Sequence, residues 1–152
     1  MATEALLIRK AKAADVPRLV ALLIADAIRD LDEAAPDDPI YHAAFAAIEA
    51  DPKQLLLVGE RAGLVVATLQ LTFIPYLMHR GRPTALVEAV RVAGELRGQG
   101  LGAQLMRAAV DEAKRRGCAR VQLTTNKKRL DAHRFYERLG FIASHEGMKL
   151  QL

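Results

Sequence analysis

The stretch RGQGLGAQL, Arg97 to Leu105, places three glycines within five residues, directly ahead of a helix-forming run. Glycine is the residue for a chain that must turn sharply or approach a ligand closely, so the run predicts a loop whose amides face a bound group. Leu101, Leu105, Ala108, Ala109 and Ala113 share one helical face, and Arg107, Asp111, Lys114 and Arg115 share another. That pattern predicts an amphipathic helix over about 100–116, ended by Gly117. A strand in TALVEAVRVA before it and another in ARVQLTT after it are then joined by a helical crossover as a parallel pair. Strand, tight loop and helix N-terminus together make an anion site, because the first helical amides lack partners and carry the positive end of the helix dipole. Gly98, Gly100 and Gly102 keep side chains out of that site. A simple turn explains one or two glycines and leaves their alternation beside Arg97 unexplained.

Working outward, 152 residues at 51% hydrophobic and 26% charged suffice for one packed core, which predicts a single domain over 1–152. No stretch approaches the roughly 18–20 apolar residues of a membrane span, and MATEALLIRK lacks a basic region followed by an apolar core. A soluble cytoplasmic protein without a membrane partner is expected. Cys118 is the one cysteine, which excludes an internal disulfide and a multi-cysteine zinc site, so it reads as a small buried hydrophobe and no metal is expected.

Charge is divided unevenly. Residues 1–60 hold 6 Lys+Arg against 11 Asp+Glu, whereas residues 61–152 hold 16 against 7, so the second part of the chain calls for an anion. Nucleic acid is one candidate, but aromatics are 5% and no basic string exceeds three residues, as in KKR at 127–129. A small polyphosphorylated ligand fits the same charge, and most of these side chains taken singly are solvated surface.

The remaining elements alternate without repeats. ALLIRKA reads as a first strand, and Asp15 as the cap of a helix over about 15–30 with Pro17 in its first turn and Leu19, Leu22, Leu23 and Ala27 on its inner face. After the acidic connector DLDEAAPDDP, Pro39 opens a second helix that ends before Asp51 and Pro52. QLLLVGE, a turn at 61–63 and LVVATLQLTFI form a hairpin, and TALVEAVRVA follows the loop PYLMHRGRP as a third antiparallel strand. Asp131 is read as the cap of a last helix, AHRFYERL, stopped by Gly140, with FIASHE and MKLQL closing the sheet as a terminal hairpin.

Gly98, Gly100 and Ala103 also fit a loose dinucleotide fingerprint, but GELR separates them from the strand and RVQLTTN supplies no acidic ribose partner. Nor does the Lys-Ser/Thr ending of a nucleoside-triphosphate loop follow. What residues 86–141 do resemble is the core of the GCN5-related N-acetyltransferase family: a strand, RxxGxG at Arg97, Gly100 and Gly102, a helix, a strand, then AHRFYERLGF. The RxDAHRFY form, with Arg129, Asp131 and His133, is similar to the branch containing aminoalkylphosphonate acetyltransferases. The resemblance implies an α/β fold with a mixed, mostly antiparallel central sheet, about four flanking helices and a parallel strand pair at the coenzyme site. It implies a transferase using acetyl-CoA on a small-molecule amine, with a homodimer common among relatives. Amides of the loop, from Arg97 through Gly98, Gln99, Gly100, Leu101, Gly102 and Ala103, are implied to hold the coenzyme pyrophosphate. Val90, Arg91 and Val92 are implied to run beside the pantetheine arm through main-chain groups. Where many relatives carry an asparagine three residues before the helix alanine, Arg129 stands here, with Asn126 earlier, so Asn126, Arg129 and His133 share the remaining coenzyme assignments.

Acetyl transfer to an amine needs a base, donors that polarise the thioester carbonyl and an acid for the leaving thiolate. On a two-residue period Glu88 shares a strand face with Leu86, Val90 and Val92, and partial burial in that apolar row raises a carboxyl toward a useful base. The alternative is an edge or ion-paired glutamate, with Arg91 or Arg120 as partner. In the last helix Phe135 and Leu139 serve packing, which leaves Tyr136 to aim its hydroxyl elsewhere. By resemblance it matches the tyrosine that protonates the coenzyme sulfur; otherwise it is an amphipathic core residue. Asp30, Asp32, Glu33, Asp37 and Asp38 suit a cationic amine, and His79, Arg80 and Arg82 suit a carboxylate or phosphonate. The alternatives in function are a non-catalytic acyl-CoA sensor on the same fold, a transferase acting on a protein amine, and a basic nucleic-acid binder.

Overall fold

Hydrophobic runs with alternating burial build the sheet. In the computed structural model, which describes residues 5–27 and 32–152, β1 (Leu7–Lys10), β2 (Gln54–Arg61), β3 (Leu64–Ile74), β4 (Thr84–Val92) and β5 (Arg120–Leu123) lie side by side in chain order. The first four pair antiparallel. β5 runs parallel to β4, and the starts of the two strands meet where Ala119 N donates to Pro83 O at 2.8 Å. The helices are α1 (Val16–Ala25), α2 (Pro39–Ala50), α3 (Leu101–Arg115) and α4 (Leu130–Arg138).

Helix ends follow local chemistry, with three departures from expectation. α2 is capped by Asp38, whose side chain accepts from Ile40 N, and has Pro39 in its first turn. α3 ends where Gly117, at φ 71°, lets Cys118 N reach back to Ala113 O. Asp15 precedes α1 but does not cap it: its carboxylate binds Arg9 at 2.7 and 3.0 Å and accepts from Lys12 N. α1 itself ends at Ala25, short of the expected 30, with Ala27 exposed beyond it and Asp30 outside the described residues. Asp131 likewise sits inside the first turn of α4, whose cap position is Arg129.

The chain divides into two compact units, residues 1–122 and 123–152. In the first, sheet register sorts the core into two layers. Leu56, Gln70 and Glu88 are cross-strand neighbours and so share one face, which α1 and α2 cover with Val16, Val20 and Phe45. Leu55, Leu57, Leu69 and Val87 point the other way, toward the buried Leu105, Met106 and Ala109 of α3. Leu69, Leu71 and Leu105 are wholly inaccessible, each such side chain contributing about 1.5–3 kcal/mol by burial.

In the second unit Gly140, φ 92°, turns the chain just past the end of α4, with Phe141 N donating to Tyr136 O. The expected terminal hairpin is absent: among the described residues no strand follows β5. Met148, Leu150 and Leu152 keep the alternation of a strand but are exposed, because alternation supplies a face and a strand needs a paired edge as well.

Candidate functional site

Between β4 and α3 the chain does what its glycines predict. Gly98 and Gly100 both stand at φ 76°, the left-handed region, and a Cβ built on either meets no described atom within 4 Å. Gly100 is the cap position of α3, and the first helical hydrogen bond runs from Gln104 N to Gly100 O. The amides of Leu101, Gly102 and Ala103 therefore precede that ladder at the positive end of a 15-residue helix. The Leu101 side chain is buried at 1% exposure, so this residue offers a ligand its main chain.

Side chains that would crowd the loop are drawn aside. Arg97 Nη2 lies 3.0 Å from Asp26 Oδ1 at the end of α1, and Arg91 Nε lies 4.0 Å from the other oxygen of the same carboxylate. Gln99 accepts a 2.9 Å bond from Arg61 Nη1 on β2. Neither Asp26 nor Arg61 carried a motif in the sequence, since each contact spans dozens of residues. The open cradle at Gly98 and Gly100, with helix amides behind it, fits a diphosphate.

β4 carries the second feature, which periodicity could not reveal. Gln70 faces Glu88 and Thr68 faces Arg91, so Leu69 of β3 is opposed by both Ala89 and Val90. This is a β-bulge, with Ala89 at φ 54°. It breaks the expected row of Glu88 with Leu86, Val90 and Val92: Leu86 stays on the face of Glu88, but past the bulge Arg91 takes that face in place of Val90 and Val92. Glu88 is also exposed rather than partly buried. The candidate partners have other engagements, Arg91 with Asp26 and Arg120 with Thr84 Oγ1 at 3.3 Å. Cys118 is partly buried and burial pushes its thiol up, as suits a packing residue.

Within the second unit, Asn126, Arg129 and His133 come together. The Asn126 carbonyl accepts from Arg129 N at 2.9 Å and lies 3.1 Å from His133 Nε2, while its side chain accepts from Lys128 N. Tyr136 stands edge-on to Phe135 and Phe141, with ring centroids 5.0 and 5.9 Å away. Its ring thus packs with phenylalanines even though Phe135 was expected to do that work alone with Leu139. Among the described residues no group of three or more His, Cys, Asp or Glu is placed to hold a metal, and no helix is long and apolar enough to cross a membrane.

A glycine-cradled helix terminus following a bulged strand, with a parallel strand returning beside it, defines an acyl-coenzyme transferase fold. The chain matches the acetyltransferase (GNAT) family over residues 17–141 and belongs to that family; it is an acetyl-CoA-dependent N-acetyltransferase. It is 33% identical to aminoalkylphosphonate N-acetyltransferase of Salmonella typhimurium over 91% of this chain and 86% of that protein. It is 28% identical to thialysine N-epsilon-acetyltransferase of Bos taurus over 84% of this chain and 81% of that one. A solved structure from Bacillus halodurans, described as a transcriptional regulator, superimposes with a TM-score of 0.91 at 42% identity, covering 97% of this chain and all of that one.

Proposed function

We propose that the chain moves an acetyl group from acetyl-CoA to the primary amine of a small molecule by direct attack, residues 1–152 acting as one transferase domain. The observation carrying this reading is the cradle of Gly98 and Gly100, where two left-handed glycines leave empty space in front of the α3 amides. The family match runs through both compact units, which supports their acting together.

The coenzyme-binding roles follow from main-chain exposure. Gly98, Gly100, Gly102 and Ala103, with Leu101 and Gln99 through their amides, are assigned to the pyrophosphate, and Arg97 adds charge beside it. Val90 and Val92, with Arg91 between them, are assigned to the pantetheine arm. A bulge leaves main-chain groups out of the ladder, which supports Ala89 and Val90 as donors to a carbonyl oxygen. Asn126, Arg129 and His133 are assigned to the rest of the coenzyme. When bound, acetyl-CoA supplies the activated acetyl group.

Glu88 is the proposed base, holding the proton lost by the ammonium of the acceptor; its exposure favours transfer through a water molecule. Tyr136 is the proposed acid, its Oη holding the proton that the departing thiolate needs. Basic His79, Arg80 and Arg82, with acidic Asp32, Glu33, Asp37 and Asp38, suit an acceptor carrying both signs, in keeping with the aminoalkylphosphonate named for the Salmonella relative.

A panel of primary amines with acetyl-CoA and free-thiol detection tests the reading. Glu88→Gln and Tyr136→Phe are each expected to lower kcat about 100-fold or more with coenzyme affinity kept. A second reading, an acyl-CoA sensor, is favoured by the description of the Bacillus halodurans structure as a regulator. It wins if calorimetry detects coenzyme binding while no amine, small-molecule or protein, ever releases free coenzyme A. Salt-sensitive binding to DNA or RNA that coenzyme A does not displace would instead mark a nucleic-acid binder.

A further inference from the structure

A cavity of about 130 Å³ lies between α1, α2 and the sheet face that carries Glu88. Leu19, Phe45, Leu56 and Ile48 supply hydrocarbon walls, and the polar side chains among its lining are Tyr41, Thr68 and Gln70. Each of these three is already engaged. Thr68 Oγ1 donates to Leu57 O at 2.9 Å, Gln70 Nε2 donates to Gln54 Oε1 at 2.9 Å, and the Tyr41 hydroxyl donates to Glu33. Among the described residues no charged side chain lines the space. A phosphonate or ammonium placed there would lose its hydration without compensation, whereas methylene groups would gain from burial.

The position of the cavity gives it a use. Gln70 in its wall is the direct cross-strand neighbour of Glu88, and Ala89 of the bulge also lines it. Ala44 and Ala89 are both exposed, so the cavity reaches the surface at the proposed base. We propose that this cavity takes the hydrocarbon body of the acceptor, making the substrate an aliphatic primary amine whose alkyl chain enters the space while its nitrogen stays at the rim beside Glu88. The proposal rests on the transferase reading and adds to it the acceptor class. Any anionic group on the acceptor belongs outside the cavity, on the far side of the nitrogen or on a branch.

The test is a homologous series, ethylamine to hexylamine, with saturating acetyl-CoA and free-thiol detection, on the wild type and on Ala44→Phe, which fills the cavity from its exposed wall. In the wild type kcat/KM is expected to rise about three- to fourfold per added methylene until the space is full. In Ala44→Phe the rise disappears while coenzyme affinity by calorimetry is unchanged; Ala44→Leu, a smaller filler, shortens the rise if the phenylalanine variant folds poorly. A flat series in the wild type, or an equal slope in the folded variant, overturns the proposal. If none of these amines releases free coenzyme A, the transferase reading is what fails, and the cavity is then read by NMR titration. Affinity that grows from ethylamine to hexylamine in the wild type and not in the variant upholds an alkylamine site, and affinity independent of chain length removes it.

Discussion

Asp26 holds Arg97: the carboxylate at the end of α1 lies 3.0 Å from the guanidinium of the first loop residue and also reaches Arg91 at 4.0 Å. An acidic group thus stands beside a site built for an anion and restrains its cations. Asp26→Asn removes that competition. Because Arg97 is about half exposed, the gain is modest, a roughly three- to fivefold lower Kd for coenzyme A at low ionic strength. The effect should shrink at about 0.5 M salt. Calorimetry at two salt concentrations decides; weaker binding in the variant would show that Asp26 orients Arg97 rather than competing for it.

Gly100 gives a cleaner contrast between fold and ligand. Its left-handed φ strains any L side chain by about 1–2 kcal/mol, yet the space a Cβ would occupy is open. Gly100→Ala is therefore expected to fold with slightly reduced stability and to bind coenzyme A at least tenfold more weakly. Loss of stability with unchanged affinity would place the pyrophosphate elsewhere.

Ala89 bears the same strain without glycine to relieve it, at φ 54° in the bulge. Ala89→Gly should stabilise the protein by about 0.5–1 kcal/mol, the relief of strain exceeding the added entropy of the unfolded chain. Ala89→Val, branched at Cβ, should destabilise it and lower turnover by displacing the main chain around Val90. Urea denaturation of both variants beside their kcat values is the measurement, and a destabilising glycine would contradict this backbone conformation.

Glu112 predicts the acid limb of stability. Hydrogen bonds from Arg115 at 2.7 and 2.8 Å hold its carboxyl at about 2 against partial burial, with Arg116 adding a third. A depressed value favours the fold above the ordinary carboxylate value of 4.5 and loses that contribution as pH falls toward about 2. Asp15, lowered by Arg9, acts in the same direction. With Arg115 mostly exposed, the Glu112 share is about 1 kcal/mol. Denaturation midpoints followed across that window should fall in the wild type and fall less in Glu112→Gln; identical slopes would discount the pair.

Strong local patterns are legible in the sequence alone. Pro39 and Asp38 at the start of α2, the 64–74 strand, and the α3 face of Leu101, Leu105 and Ala109 ending at Gly117 each depend on residues within a few positions of one another. Gly98 and Gly100 announced the anion cradle for the same reason, since a left-handed backbone limits which residue can stand there. The capping roles expected of Asp15 and Asp131 failed because a carboxylate chooses its partner in three dimensions, as Asp15 does with Arg9.

By itself, then, the chain's order of residues determined β1 to β5 and the place of the four helices, the glycine loop and the family to which it belongs, but not the absence, among the described residues, of a terminal hairpin. Only the tertiary structure decided which residues share the face of Glu88, because one extra residue at Ala89 inverts the alternation beyond it and no glycine marks the place. It also decided that Asp26 and Arg61 brace the loop and that α1 and α2 leave a hydrocarbon cavity beside the bulge. These depend on contacts between residues distant in sequence, whose pairing is set by packing and register rather than by any local preference.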